Sequence, residues 1–198
     1  MNKEEKLELV GLYGGAMQIM LPTQRFHDIS QFRHVPNHQE VYADGETDQS
    51  IIIELNTYED NIKNNEIAQY YFNDLSQCNQ AISSQINQII PLNSQELSIY
   101  HPQLKNSQHP AYITTLQGMQ KIAKYRDNTQ AANDIFICMT IIRLDFCQTD
   151  LLITFNVPLT FNQQSSTASC VSNINNTQEI IQKYSKILST FQINTLQL

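Results

Sequence analysis

Residues 134–157 read DIFICMTIIRLDFCQTDLLITFNV, and this stretch decides the fold. From position 134 to 144 both alternating faces are apolar, with Ile135, Ile137, Met139 and Ile141 on one and Phe136, Cys138 and Ile142 on the other. A strand of that kind needs cover on both sides. Residues 151–157 repeat the pattern more weakly, and the short connection between the two runs predicts an antiparallel pair. Working outward, residues 7–13 and 16–21 flank Gly14-Gly15, which suits a tight hairpin, and Pro22 ends the second run. Residues 39–43 and 50–55 bracket a polar turn around Gly45; in the second, Ile51, Ile53 and Leu55 share one face while Ile52 and Glu54 share the other. Ile67, Tyr71, Leu75, Cys78 and Ile82 recur at helical spacing. Ile180, Ile181, Tyr184, Ile187, Leu188 and Phe191 line a second helix, opened by a capping box of Asn176 and Glu179. The expected fold class is α+β: a mainly antiparallel central sheet covered by helices on both faces, an α/β/α sandwich.

Composition narrows the function classes. The 198 residues are 16% charged and carry a net charge of -7, and Asn with Gln makes up roughly a fifth of the chain. An acidic chain with no Lys/Arg block is a poor nucleic-acid surface, and no apolar run approaches the ~20 residues of a membrane helix. The opening MNKEEKLELV has glutamates ahead of any apolar stretch, unlike a secretory or transit peptide. Cys78, Cys138, Cys147 and Cys170 form no CxxC pair and read as reduced thiols, each in or beside an apolar element where a core position is the default. The N-x-T triplet at Asn175 is a chance match in so amide-rich a chain. No repeat recurs and no linker stands out, so residues 1–198 are expected to form a single domain, with 162–176 as a long surface loop.

No catalytic constellation emerges. Gly14-Gly15 lacks both the GK[ST] ending of a phosphate loop and GxGxxG spacing, and a strand rather than a helix follows it. His27, His34 and His38, with His101 and His109 further on, lack metal-ligand spacing; an enzyme or metal site built on them is a third reading, set behind solvated loop histidines. There is no GxSxG elbow. Glu40, Asp44, Glu46, Asp48 and Glu54 crowd adjoining strands, either as a solvated edge or, beside Pro36, Val41 and Tyr42, as a dock for a basic partner. Alternation puts Glu40 and Tyr42 on one face and Val41 on the other, with Glu40 exposed and Val41 in the core. Arg33 with Asp28 reads equally as a structural ion pair or a partner contact, and Arg143 with Asp150 reads as a tie on the turn between their strands.

Four ordered blocks add a resemblance: LYGGA at 12–16, DISQFRHVPNHQEVY at 28–42, TDQSIIIEL at 47–55 and IIRLDFCQTDLLITFNVPL at 141–159. They resemble the Ran guanine nucleotide release factor (Mog) family, which shares the PsbP-like fold. Arg33, Val35, Pro36, Gln39, Glu40 and Val41 match its R-x-V-P-D-x-Q-E-V element, Ser50, Ile51, Ile52 and Glu54 the next, and Arg143, Leu144, Phe146, Thr149 and Asp150 the last. The resemblance implies a protein that binds the small GTPase Ran, promotes release of its guanine nucleotide and tunes nuclear import. It implies a binding factor rather than an enzyme, monomeric, in nucleus and cytoplasm, with no cofactor, metal, nucleic acid or membrane partner. The residues it implies for partner binding are Glu54, Asp48, Glu40, Arg33, Asn37, Gln39 and Pro36. Asn37 stands where the family has aspartate, and Asn56-Thr57 where an acidic residue is common, so two charges are missing from the expected surface. The alternative is a non-catalytic PsbP-like structural or assembly subunit that docks another basic partner through its acidic face.

Overall fold

The computed structural model describes residues 6–92, 111–123, 129–170 and 176–194. Asn175, His101 and His109 lie outside them. Among the described residues, ten strands form two sheets. The smaller joins β1 (Glu8–Leu12), β2 (Met17–Leu21) and β10 (Gln192–Ile193) in the order β1-β2-β10. The larger contains β3 (Phe26–Asp28), β4 (Gln39–Asp44), β5 (Ser50–Thr57), β6 (Ser83–Pro91), β7 (Tyr112–Ile122), β8 (Asn133–Leu144) and β9 (Thr149–Pro158). Its order is β3-β4-β5-β9-β8-β7-β6, with antiparallel neighbours throughout. Two helices are described, α1 (Ile67–Cys78) and α2 (Thr177–Leu188).

The alternating greasy faces of β8 feed two cores. Ile135, Ile137, Met139 and Ile141 join Ile67, Ala68, Tyr71 and Phe72 of α1, with Leu116 and Leu152. Phe136, Cys138, Ile142 and Leu144 join Ile180, Tyr184, Ile187 and Leu188 of α2, together with Leu12, Met17, Ile19 and Leu21 of the small sheet. Burial pushes the Cys138 thiol up to about 12. The β1–β2 hairpin falls where residues 7–21 predict it, whereas β10, only two residues long, adds a third strand that periodicity does not announce. Tyr184 roots α2 in the long sheet: its hydroxyl donates to the Ile153 carbonyl at 2.7 Å and lies 2.6 Å from the Thr140 hydroxyl. At the start of α2, Asn176 Oδ1 accepts from the Gln178 amide at 2.9 Å, which satisfies one of the helix's orphan donors.

Several expectations shift. α1 stops at Cys78, where Asn79 and left-handed Gln80 (φ 49) turn the chain, so Ile82 is 49% exposed rather than part of the helical face. α2 ends at Leu188, and Phe191 is buried beyond it. Of the four cysteines only Cys138 is buried; Cys78 is exposed. The described part of the 162–176 segment is tied down: buried Asn133 accepts from the Asn162 amide at 2.7 Å and donates to Ser165 and Thr167 at 3.2 and 3.0 Å.

Arg143 and Asp150 are direct cross-strand partners, both essentially inaccessible to solvent. Arg143 Nε donates to Asp150 Oδ1 at 3.1 Å, and its Nη atoms donate to the Ile62 and Glu59 carbonyls, each at 2.8 Å, and to Asn64 Oδ1 at 2.9 Å. Asp150 Oδ2 accepts from the Glu59 amide at 3.1 Å and the Tyr71 hydroxyl at 2.9 Å. The pair therefore clamps the segment entering α1 rather than the turn between its own strands. That turn is held by Gln148, whose amide and side chain both donate to the Asp145 carbonyl.

Two stability outcomes follow from these contacts. A Cβ on Gly118 would sit 2.6 Å from Phe72 Cζ and 2.9 Å from the Gln85 carbonyl oxygen. Phe72 is 1% exposed and has no room to swing, so Gly118→Ala should cost about 1–3 kcal/mol in urea unfolding. Arg143→Met strands a buried carboxylate and should cost about 3–5 kcal/mol, whereas the double change Arg143→Met/Asp150→Leu should cost clearly less. Equal midpoints for single and double variants would remove the ion pair from this account.

Candidate functional site

The acidic residues of β4 and β5 divide into three roles. Asp44 is 2% exposed and organises its own turn. Its Oδ1 accepts from the Glu46 amide at 2.9 Å, and its Oδ2 accepts from the Thr47 hydroxyl at 2.6 Å and from Arg25. Burial pushes its carboxyl up, but the Thr47 and Glu46 hydrogen bonds and the Arg25 charge outweigh that and leave it below the usual carboxylate range. Asp48, half-buried, takes φ 56 in the same turn, and its amide donates to the Asp44 carbonyl at 2.8 Å.

Glu40 is a structural acceptor rather than an exposed charge. Its Oε1 accepts from the Tyr13 amide at 2.8 Å, and its Oε2 lies 3.4 Å from the Tyr42 hydroxyl. Tyr13 opens the turn between β1 and β2 with φ 49, followed by Gly14 at φ 66 and Gly15 at φ 95. Its hydroxyl sits 2.9 Å from both the His38 and Ile53 carbonyls, and a single proton serves one at a time. Burial, then the Glu40 and Glu54 carboxylates, push that phenol well above its ordinary range. The LYGGA block thus clasps the small sheet to the β4–β5 edge. Tyr13 carries no signal in the sequence that distinguishes it from a strand-end aromatic.

Glu54 belongs to the opposite face. The register places Gln39 opposite Glu54, Val41 opposite Ile52 and Glu54 opposite Leu152, a member of the α1 core. Glu40 pairs with Ile53, so the ladder points Glu40 and Glu54 away from each other. Glu54 is half-buried, and His38 Nε2 lies 3.8 Å from its Oε1. The loop before β4 completes the face. Asp28 accepts from the Ser30 amide at 2.8 Å and makes no ion pair with Arg33, whose exposed guanidinium donates to the His34 carbonyl at 3.4 Å. Pro36 is half-buried, and its carbonyl accepts from the Gln39 amide at 2.9 Å; Asn37 is exposed. Gln39 and Glu54 therefore share a face, Pro36, Asn37 and Arg33 sit on the loop at its rim, Asp48 occupies the far turn and Glu40 faces the other way. His27, His34 and His38 are all exposed, and among the described residues no group of three His, Cys, Asp or Glu side chains could hold a metal.

The chain is similar to known proteins over almost its whole length. Residues 10–158 match the family model described as Ran-interacting Mog1 protein. A probable Ran guanine nucleotide release factor of Dictyostelium discoideum is 36% identical over 197 residues, covering 98% of this chain and 97% of that protein. The nuclear import protein mog1 of Schizosaccharomyces pombe is 29% identical over 168 residues, 84% of each. Among solved structures, the Saccharomyces cerevisiae Ran-binding protein Mog1p superposes with TM-score 0.66 at 24% identity, covering 96% of both chains. Cyanobacterial PsbP from Synechocystis superposes with TM-score 0.53 at 9% identity, covering 97% of this chain and 95% of that one, and shares the fold.

The Asp44 turn predicts a pH signature. A carboxylate whose folded pKa is depressed contributes stability above its unfolded pKa of about 3.9, and that contribution is lost as pH falls through the lower folded value. Asp44→Asn should therefore lower stability by about 1–3 kcal/mol at neutral pH, with the gap to wild type closing below about pH 4 in denaturant titrations. A gap that stays constant down to pH 2 would contradict this assignment.

Proposed function

The chain belongs to the Ran-interacting Mog1 protein family, and on that footing we propose that it binds the small GTPase Ran, promotes release of the bound guanine nucleotide and so acts in nuclear protein import. The observation that carries the reading is the near end-to-end correspondence with the Dictyostelium release factor, at 36% identity. We read the chain as one domain that works as a monomer in nucleus and cytoplasm and performs no chemical step. In this reading the long sheet is the middle of three layers, supported by the division of β8 between the α1 and α2 cores.

Release needs no catalytic group. A GTPase that holds nucleotide at picomolar strength commits about 16 kcal/mol to it. A factor that binds the nucleotide-poor state several kcal/mol more tightly than the loaded one weakens that hold by the same amount, and nucleotide in turn expels the factor. The contact surface in this proposal is the Gln39–Glu54 face with Pro36, Asn37, Arg33 and Asp48 around it. Glu54 is the central carboxylate, supported by its partial exposure beside His38. Glu40 takes part indirectly, by fixing the Tyr13 clasp behind that face.

The test uses Ran loaded with a fluorescent guanine nucleotide. Wild-type protein should accelerate nucleotide loss, and Glu54→Lys should reduce the acceleration and the affinity at least about tenfold, as expected for a central interface charge, while leaving the unfolding midpoint in place. Unchanged binding and release in Glu54→Lys would displace the site. A wild-type protein with neither effect would favour the structural or assembly role instead.

A further inference from the structure

Beside Glu54, the α1 face of the long sheet does not close. Between the C-terminal end of α1 and strands β4, β5, β8 and β9 lies a groove of about 520 Å³, a size typical of ligand-accepting concavities. Val41, Ile52, Leu75 and Ile135 give it apolar walls, and Arg33 and Asp48 stand on its lining. Phe32 lies next to Arg33 and directly follows the turn that starts at Ile29, another lining residue; its amide bonds to the Ile29 carbonyl at 3.0 Å. Phe32 is 74% exposed, the most exposed of the large hydrophobic side chains described. An exposed aromatic next in the chain to a groove-lining residue has the composition of an interface anchor.

Charge selects the occupant. Asp48 lines the groove, Asp74 stands one helical turn before the groove-lining Cys78 on α1, and Glu54 lies two residues beyond the groove-lining Ile52 on the same face of β5. Among the described residues, three carboxylates thus stand on or beside a lining whose one cation is Arg33, on a chain of net charge -7. We propose that this groove receives an apolar side chain presented on a basic segment of the GTPase, with Phe32 packing against the same segment from outside. The proposal rests on the Ran-binding reading and adds to it a slot on α1's side of the sheet. Desolvation of the apolar walls supplies affinity, and the carboxylates favour a cationic flank over an acidic one.

Cys78 provides a direct probe. It is exposed on the groove, whereas Cys147 sits at the opposite end of the β8–β9 hairpin and serves as an internal reference. Alkylation by N-ethylmaleimide is followed by peptide mass spectrometry, at mildly alkaline pH because burial and the Asp74 and Glu54 charges raise the Cys78 pKa. Complex formation with Ran should slow Cys78 labelling about tenfold and leave Cys147 unchanged. Ala43→Trp, which fills the groove from β4, and Phe32→Ala should each weaken Ran binding about tenfold without moving the unfolding midpoint. A stable Ran complex with Cys78 still reactive and both variants binding normally overturns the groove while leaving the Ran-binding reading intact. No complex with wild-type protein overturns that reading and the groove with it.

Discussion

The Arg143–Asp150 pair is the constraint on which the α1 side of the molecule depends. Two charges removed from water impose a desolvation cost that only near-complete hydrogen bonding offsets. Here Arg143 satisfies the Glu59 and Ile62 carbonyls and Asn64, while Asp150 takes the Glu59 amide and the Tyr71 hydroxyl. The Arg143 guanidinium also stacks 4.0 Å from the centre of the Tyr58 ring. Every one of those groups except Tyr71 precedes α1, and Tyr71 lies within it. The pair thus sets where the helix begins and how its Ile67, Tyr71 and Phe72 meet β8. It also sets where Leu75 and Cys78, further along the same helix, meet the open part of the sheet. An apolar pair of the same volume could fill the space, but it would leave the Glu59 and Ile62 backbone groups without partners.

A second constraint sits on the other face. Tyr13 links three segments at once: its amide to Glu40, and its hydroxyl to the carbonyls of His38 and Ile53. The β1–β2 turn could have been closed by the two glycines alone. Placing a non-glycine residue at φ 49 beside them costs backbone energy. The hydrogen bonds that Tyr13 makes across to β4 and β5 offset that cost, and they couple the small sheet to the strand pair that carries Glu54.

The sequence made β8 and β9 legible because burial on both faces leaves a composition no surface strand can have, and both fall where residues 134–157 put them. The helices were legible from their apolar spacing, yet their ends were not. Ile82 keeps the period of α1 after Gln80 has already turned left-handed, and such a turn leaves no trace in hydrophobic spacing. β6 escaped notice for the opposite reason: it is an edge strand, exposed along most of its length and interrupted by a bulge near Ile86 and Gln88. Amides mislead in the same way. Most decorate the surface, but Asn133, Gln49 and Gln120 are buried, and Gln120 ties the end of α1 to β7 through Asn79 at 3.0 Å. For the candidate site, alternation correctly separated Glu40 from Val41. It could not show that Glu40's face is covered by Tyr13, because the covering residue lies 27 positions away.

The same distinction changes what the net charge of -7 means. Asp44 and Glu40 are committed to internal hydrogen bonds, so the acidic run from 40 to 54 contributes less to the outer surface than its length suggests. Asn37 and Asn56 lie two residues from Gln39 and Glu54 respectively, at the same end of the β4–β5 pair, and neither carries charge. At that end Glu54 is the carboxylate left on the face, with His38 beside it. Asp48 lies in the turn at the other end of that pair, and Asp74 lies on α1. Screening over about 10 Å at 0.1 M salt means that a partner feels these groups individually rather than as one field. With Asn37 and the Asn56-Thr57 pair uncharged at the Glu54 end, short-range packing must carry a larger share of any association there.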